Sequence, residues 1–308
     1  MPGRKEREHA LAYNVLIPLD GSRLSERSLA FVPSLSRLEG FGLTLVSVVN
    51  PEEDVSMLGH AEASDREANV LQTYLHEIAA DMLKHHNLQV ATEVLRGNPA
   101  EAILARLASG TTDLLVISTH GRSGIARWRI GSVADKLIRG AGCETLVVGP
   151  HAADTEGWLE AGAVQPFKKI LLPVDGSELA EQALAATQRF AKAFGSEVHV
   201  VRVINVTSYG DGLMMESVYT PQLIDTLQEA AEEYVSGMAK RLGAPGGVST
   251  KILVGSPAMT LEQYAEVNSV DLVVMTTHGR GGVARAALGS VTDRMLGGSA
   301  PVLVVRAK

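Results

Sequence analysis

Residues Ser118–Ser132 read STHGRSGIARWRIGS, and they run from a short apolar stretch, Asp113-Leu-Leu-Val-Ile-Ser118, into a helical pattern that opens near Ser132. The arrangement returns at Thr276–Ser290 as TTHGRGGVARAALGS. Both copies keep Thr-His-Gly-Arg, a second glycine (Gly124, Gly282), a hydrophobe-Ala-Arg triplet and a closing Gly-Ser, and nine residues separate Gly121 from Gly131 and Gly279 from Gly289. A strand that ends in glycines and then starts a helix offers backbone N–H groups and the positive end of a helix dipole. Such a device suits an anion, phosphate above all. A chain that carries it twice reads as two related halves with one site each.

Other stretches repeat with it. Val15-Leu-Ile-Pro-Leu-Asp-Gly-Ser22 returns as Ile170-Leu-Leu-Pro-Val-Asp-Gly-Ser177 at a displacement of 155, and Gly97-Asn-Pro-Ala100 returns as Gly255-Ser-Pro-Ala258 at 158. A net three-residue insertion therefore lies between these points in the second half. The Met-bearing loop Val206–Tyr219 is its expected place, because loops absorb length changes most easily.

In the first half, the run from Asn14 is too short for a helix and reads as a buried strand. Ser22 caps a helix that Gly40 and Gly42 end, and a strand over Leu43–Val49 follows. The pattern continues with a helix over Glu62–His86, a strand over Val90–Leu95, a helix capped by Asn98 with Pro99 at its first position, the strand ending at Ser118, a helix from Ser132 to Gly140, and a strand over Thr145–Gly149. Strands that alternate with helices predict an α/β fold: two tandem doubly wound domains, each a five-stranded parallel sheet with helices on both faces. The expected divisions are residues 1–149, a linker over 150–167 containing Pro150, Gly157, Gly162 and Pro166, and residues 168–308.

Length and composition agree with two ordinary cores, since the chain has 308 residues and 45% hydrophobic content. A net charge of −7 with no basic stripe argues against nucleic-acid binding. The single cysteine, Cys143, excludes an intramolecular disulfide framework and reads as a buried, inert thiol. The first residues lack the apolar core of a secretory signal, and no run approaches the roughly 18 apolar residues of a membrane span. A cytoplasmic protein that does not bind membranes is expected.

In an open parallel sheet, ligands bind beyond the carboxyl ends of the strands where strand order reverses. Two loops of each half fall at such ends: Pro18-Leu-Asp-Gly21 with Ser118–Ser132, and Pro173-Val-Asp-Gly176 with Thr276–Ser290. A carboxylate beside phosphates, as at Asp20 or Asp175, wants a ribose hydroxyl or a nucleotide-bound Mg²⁺ as partner. The competing reading is an Asx turn closing the strand. Ser132-Val-Ala-Asp135 and Ser290-Val-Thr-Asp293 likewise fit the spacing of a plain capping box. Arg122, Arg127 and Arg129, with Arg280 and Arg285, are candidates for phosphate pairing, and solvated surface arginines are the alternative. His120 and His278 lack an accompanying nucleophile motif and suit loop positioning. The adjacent His85 and His86 cannot share one helix face, and no protein-only metal site is expected. Neither a Walker loop nor a G-x-G-x-x-G fingerprint is present.

On these residues the chain resembles a tandem universal stress protein. The nucleotide-binding signature of that family is G-x2-G-x9-G-[ST], with an Asp after the first strand and a hydrophobe at the end of the second. Asp20, Val48, Gly121, Gly131 and Ser132 match it in the first half, and Asp175, Val203, Gly279, Gly289 and Ser290 in the second. The signature's first glycine is replaced by Ser118 and by the stiffer Thr276, so the second site is expected to be the weaker. The resemblance implies an adenine nucleotide α-hydrolase-like fold, with ATP as ligand and Mg²⁺ near Asp20 and Asp175. Pro18, Ser118, Arg122, Gly124 and Val133, with Pro173, Thr276, Arg280, Gly282 and Val291, complete the expected nucleotide contacts. It also implies pairing of the two halves through their last strands, Thr145–Gly149 against Val302–Arg306, and is compatible with a homodimer. The expected role is regulatory ATP binding in a stress response, with at most weak hydrolysis. A nucleotide-free interaction module is the alternative.

Overall fold

The computed structural model describes residues 13–50, 60–119, 130–151, 167–205, 221–276 and 288–306. In the first half the elements are β1 (Tyr13–Pro18), α1 (Arg23–Glu26), a 3₁₀ turn (Arg27–Phe31), α2 (Val32–Leu35), β2 (Phe41–Val49), α3 (His60–His86), β3 (Val90–Arg96), α4 (Pro99–Leu107), β4 (Leu114–Ser118), α5 (Ser132–Gly140) and β5 (Glu144–Val148). The second half has β6 (Lys169–Val174), α6 (Glu178–Glu181), α7 (Ala183–Phe194), β7 (Glu197–Ile204), α8 (Pro221–Leu242), β8 (Val248–Val254), α9 (Pro257–Val267), β9 (Leu272–Thr276), α10 (Ser290–Leu296) and β10 (Val302–Val305).

The expected α/β alternation is present, but the two five-stranded sheets are fused. One ten-stranded sheet runs β3-β2-β1-β4-β5-β10-β9-β6-β7-β8. Strands are parallel within each half, and the halves meet antiparallel, with Val302 opposite Val147, Leu303 opposite Leu146 and Val304 opposite Thr145. The last-strand pairing implied by the resemblance is thus made within one chain. Because β5 and β10 oppose each other, the strands' carboxyl ends point to opposite edges in the two halves.

Each face of the sheet carries a core that crosses this seam. On one face Leu29, Phe31, Leu35 and Leu75 join Phe167, Phe190 and Val235. On the other Ile103, Leu137 and Ile138 join Leu261, Met295 and Leu296. Phe167, at the end of the expected linker, is fully buried. It stacks on Phe31 of the first half at 5.8 Å and meets Phe194 of the second edge-on at 5.0 Å. A polar tie lies beside it: Tyr13 donates to Glu144 at 2.9 Å, Arg189 pairs with the same carboxylate, and its guanidinium sits 5.0 Å above the Tyr13 ring.

One expectation is corrected. The helix expected from Ser22 to Gly40 is broken into α1, a 3₁₀ turn and α2. Pro33 has no N–H to continue the helical ladder, and the hydroxyls of Ser25 and Ser28 donate to the carbonyls of Ser22 and Ser25 at 2.9 and 2.7 Å. The second half lacks that proline, and α7 runs unbroken to Gly195. The loop expected to hold the insertion, Val206–Tyr219, lies outside the described residues. α8 has 22 residues against 27 in α3, and three residues, 87–89, join α3 to β3, whereas five, 243–247, join α8 to β8. Gly246 fits there because a Cβ would come within 2.5 Å of the Ser196 carbonyl carbon.

Phe167→Ala is expected to cost about 3–5 kcal/mol, as for other buried aromatics. Urea denaturation measures the loss, and a cost below about 1 kcal/mol would show that the aromatic cluster does not hold the halves together.

Candidate functional site

Strand order reverses between β1 and β4 in the first half and between β6 and β9 in the second. These neighbours pair only at their beginnings. Val15 and Leu16 face Leu114 and Leu115, and Ile170 and Leu171 face Leu272 and Val273. The reason lies in Pro18 and Pro173. The Asn14 carbonyl accepts from Asp113 on the β4 side, and the Leu19 N–H donates to Val46 on the β2 side. Backbone groups alternate along a strand, so position 18 turns its missing N–H towards β4. Lys169, whose carbonyl accepts from Asp271, sets the same phase for Pro173 against β9. Each proline ends the ladder where the strands must part, and a crevice opens at the carboxyl edge.

The turns that follow are built alike. Asp20 Oδ1 accepts from the Ser22 N–H at 2.9 Å and the Ser22 hydroxyl at 2.6 Å, and Asp175 Oδ1 accepts from Ser177 at the same two distances. Ser22 and Ser177 in turn cap their helices by accepting from Ser25 and Ala180 N–H groups. The Asx-turn reading is therefore correct for both aspartates. Partial burial pushes the Asp20 carboxyl upward, but the hydrogen bonds from Ser22 and Ser25 outweigh it and hold the group below its ordinary value. Gly21 and Gly176 sit at φ 79° and 84°, a conformation that the turn requires and glycine supplies without strain.

The capping-box reading is overturned in both halves. The N-caps of α5 and α10 are Gly131 and Gly289, without any side-chain cap, and Ser132 and Ser290 are already the first helical residues. Asp135 does not reach back to the helix start; it grips Arg139, with both carboxylate oxygens 2.9 Å from Nε. Gly131 has φ −61° and ψ 152°, and Gly289 has φ −63° and ψ 149°, values open to any residue. Their backbones do not demand glycine.

Pro18 and Asp20 follow the β1 pairing and Ser118 ends β4 at the same edge of the sheet, Gly131, Ser132 and Val133 open α5, and Val48 near the end of β2 rests with Ile130 on one core. The Ser118 hydroxyl crosses the crevice to the Ser25 carbonyl at 3.4 Å. In the second half Pro173 and Asp175 follow the β6 pairing and Thr276 ends β9, Gly289 and Ser290 open α10, and Val203, Leu288 and Val291 rest on the equivalent core surface. Thr276 is buried there, and Ala180 replaces Ser25. Gly121, Arg122, Gly124, Arg127 and Arg129, with Gly279, Arg280, Gly282 and Arg285, lie outside the described residues, as do His120 and His278. Sequence reasoning missed the link from the Tyr74 hydroxyl to Glu26 at 2.9 Å, which ties α3 to the Asp20 turn across 48 positions and leaves no local pattern. The Cys143 thiol is half-buried, and burial pushes it up to about 11, so it stays protonated.

Among the described residues no cluster of three or more His, Cys, Asp or Glu could hold a metal, and no helix is long and apolar enough to cross a membrane. The sequence profile of the Universal stress protein family matches residues 13–149 and 166–306. Universal stress protein Rv2005c of Mycobacterium tuberculosis is 28% identical over 314 residues, covering 96% of this chain and 97% of that protein. Universal stress protein MJ0577 of Methanocaldococcus jannaschii is 33% identical over 156 residues, covering 46% of this chain and 96% of the relative. A crystal structure of a universal stress protein from Archaeoglobus fulgidus shares the fold, with a TM-score of 0.69 and 19% identity over 95% of this chain and 98% of its own.

Gly21→Ala forces a side chain into the left-handed region and is expected to cost about 1–2 kcal/mol, whereas Gly131→Ala should cost a few tenths at most. Urea midpoints compare them, and equal losses would contradict the turn geometry. Because its folded pKa is depressed, Asp20 contributes stability above its unfolded value of about 3.9 and loses it as pH falls through the lower folded value. Asp20→Asn should therefore lower stability at neutral pH, with the difference closing in acid. A carboxyl NMR titration of wild-type Asp20 with a midpoint at or above the ordinary value would rule this out.

Proposed function

The chain belongs to the universal stress protein family, and on that footing we propose that it binds an adenine nucleotide, ATP above all, in the β1–β4 crevice, with a weaker second site between β6 and β9. The observation that carries this reading is the crevice itself, opened by Pro18 at the switch point and overlooked by the start of α5, where Gly131 provides no side-chain cap. The first N–H groups of α5 then have a phosphate as their natural acceptor. Glycine at 131 is not needed for the backbone, so its use is the close approach that a missing Cβ permits. Asp20 spends Oδ1 on its turn and has Oδ2 for ribose hydroxyls, and Val48 offers an apolar contact to the base.

The second site has less to offer. Thr276 is stiffer than Ser118, Ala180 lacks the Ser25 hydroxyl, and α10 has only seven residues against nine in α5. Mg²⁺, if carried in with the nucleotide, takes its ligands chiefly from phosphates and water, with Asp20 or Asp175 as at most one further oxygen. The role that follows is regulatory: occupancy changes the conformation or the partner affinity of a stress-response protein, and turnover is not its purpose.

The Gly131→Ala/Gly289→Ala variant is expected to stay folded and to bind ATP at least about tenfold more weakly, a loss of about 1.4 kcal/mol. Calorimetry measures it, with circular dichroism as the folding control. A folded variant with wild-type ATP affinity would overturn the site assignment. Mass spectrometry of ligand released from freshly purified protein tests the nucleotide itself, and a ligand-free protein that also fails to take up ATP would instead indicate an interaction module.

A further inference from the structure

The carboxyl ends of α5 and α10 are held differently, although the strands beside them correspond residue for residue. Leu146-Val-Val-Gly149 returns as Leu303-Val-Val-Arg306 at a displacement of 157, and the seam keeps that correspondence, since Val302 faces Val147 and Val304 faces Thr145. α5 connects the parallel strands β4 and β5, so it starts at the carboxyl edge of the first half and ends at its amino edge. The antiparallel seam makes that amino edge the carboxyl edge of the second half. Gly149 and Arg306, which follow β5 and β10, therefore each meet the end of a helix from the other half. A Cβ on Gly149 would come 2.7 Å from the Leu296 carbonyl oxygen and 3.5 Å from that of Gly298, so the end of α10 leaves no room for a side chain there. Arg306 fills the equivalent place at α5, and its Nη1 donates to the carbonyl of Ala141, the C-cap residue, at 2.7 Å.

The last carbonyls of a helix have no partner within it, and a cation at that end both donates to them and opposes the negative end of the dipole. Leu137 and Ile138 hold α5 on the sheet by apolar packing, which is non-directional. Arg306 adds a directional bond from the second half. With nine residues α5 is only about 13 Å long, so fixing Ala141 also fixes the direction in which Gly131 and Ser132 present their N–H groups. We propose that Arg306 is a positioning residue for nucleotide binding in the first crevice. The proposal rests on the nucleotide reading above and adds that the first site is incomplete without the other half of the chain. The second site gains no such donor from the first half at this place, because the equivalent residue is Gly149.

Two substitutions test it. Arg306→Met keeps a long stem and removes the donor, and Arg306→Lys returns a donor on a similar stem. In the ligand-free full-length protein, Arg306→Met should speed amide hydrogen exchange over 135–141 in α5 at least about threefold while leaving α10 unchanged, and Arg306→Lys should restore most of the protection. Calorimetry then reads the ligand. In a Gly289→Ala background, which weakens the second site, Arg306→Met should bind ATP about fivefold more weakly and Arg306→Lys should recover most of the affinity. In a Gly131→Ala background, Arg306→Met should leave the remaining ATP binding unchanged. Wild-type exchange of α5 in Arg306→Met would overturn the proposal, as would unaltered ATP affinity in the Gly289→Ala background or an equal loss in both backgrounds. Failure of wild type to take up ATP would instead overturn the nucleotide reading, and faster exchange of α5 in Arg306→Met would still uphold the placement of that helix by Arg306.

Discussion

Two missing N–H groups shape the functional edges of this molecule. In a parallel sheet the ladder between β1 and β4 would run on to the strand ends if every residue could donate. Pro18 cannot, and neither can Pro173 between β6 and β9, so pairing stops after two residues and the strands separate. The Asp-Gly-Ser turns follow directly, and their geometry depends on where the strand lets go. Asp20 and Asp175 close these turns through Oδ1, which fixes each carboxylate at the mouth of its crevice.

The antiparallel seam between β5 and β10 is the second constraint. It aligns both faces of the sheet so that a single core on each side spans the chain, with Phe167 wedged between Phe31 and the α7 phenylalanines. It also sends the two crevices to opposite edges, so they cannot share one ligand. Any communication between them passes through the central strands, because β4 is bonded to β5 and β9 to β10.

On this symmetric scaffold the polar content has diverged. The first half closes its polar groups on one another: Ser47 on Leu19, Ser118 on Ser25, Tyr74 on Glu26. The second half replaces Ser25 with Ala180 and Ser47 with Arg202. Equivalent backbones therefore present different side-chain chemistry in the two halves.

Alternation of short apolar runs with amphipathic helices was enough to read the α/β class, the strand positions and the duplication, because strand burial and helix periodicity are local. The Asp-x-Ser turns and the Gly-x9-Gly-Ser spacing were legible for the same reason. Other features required the tertiary structure. The break at Pro33 and the true N-caps at Gly131 and Gly289 depend on competition among several hydrogen-bond acceptors. The ties from Tyr74 to Glu26 and from Arg189 to Glu144 join residues 48 and 45 positions apart, and no periodicity records such a distance. Sequence alone determined which strands and turns this chain forms, since these rest on neighbouring residues. Only the tertiary structure decided that the two prolines face the switch points, because that outcome depends on which strand lies alongside each of them.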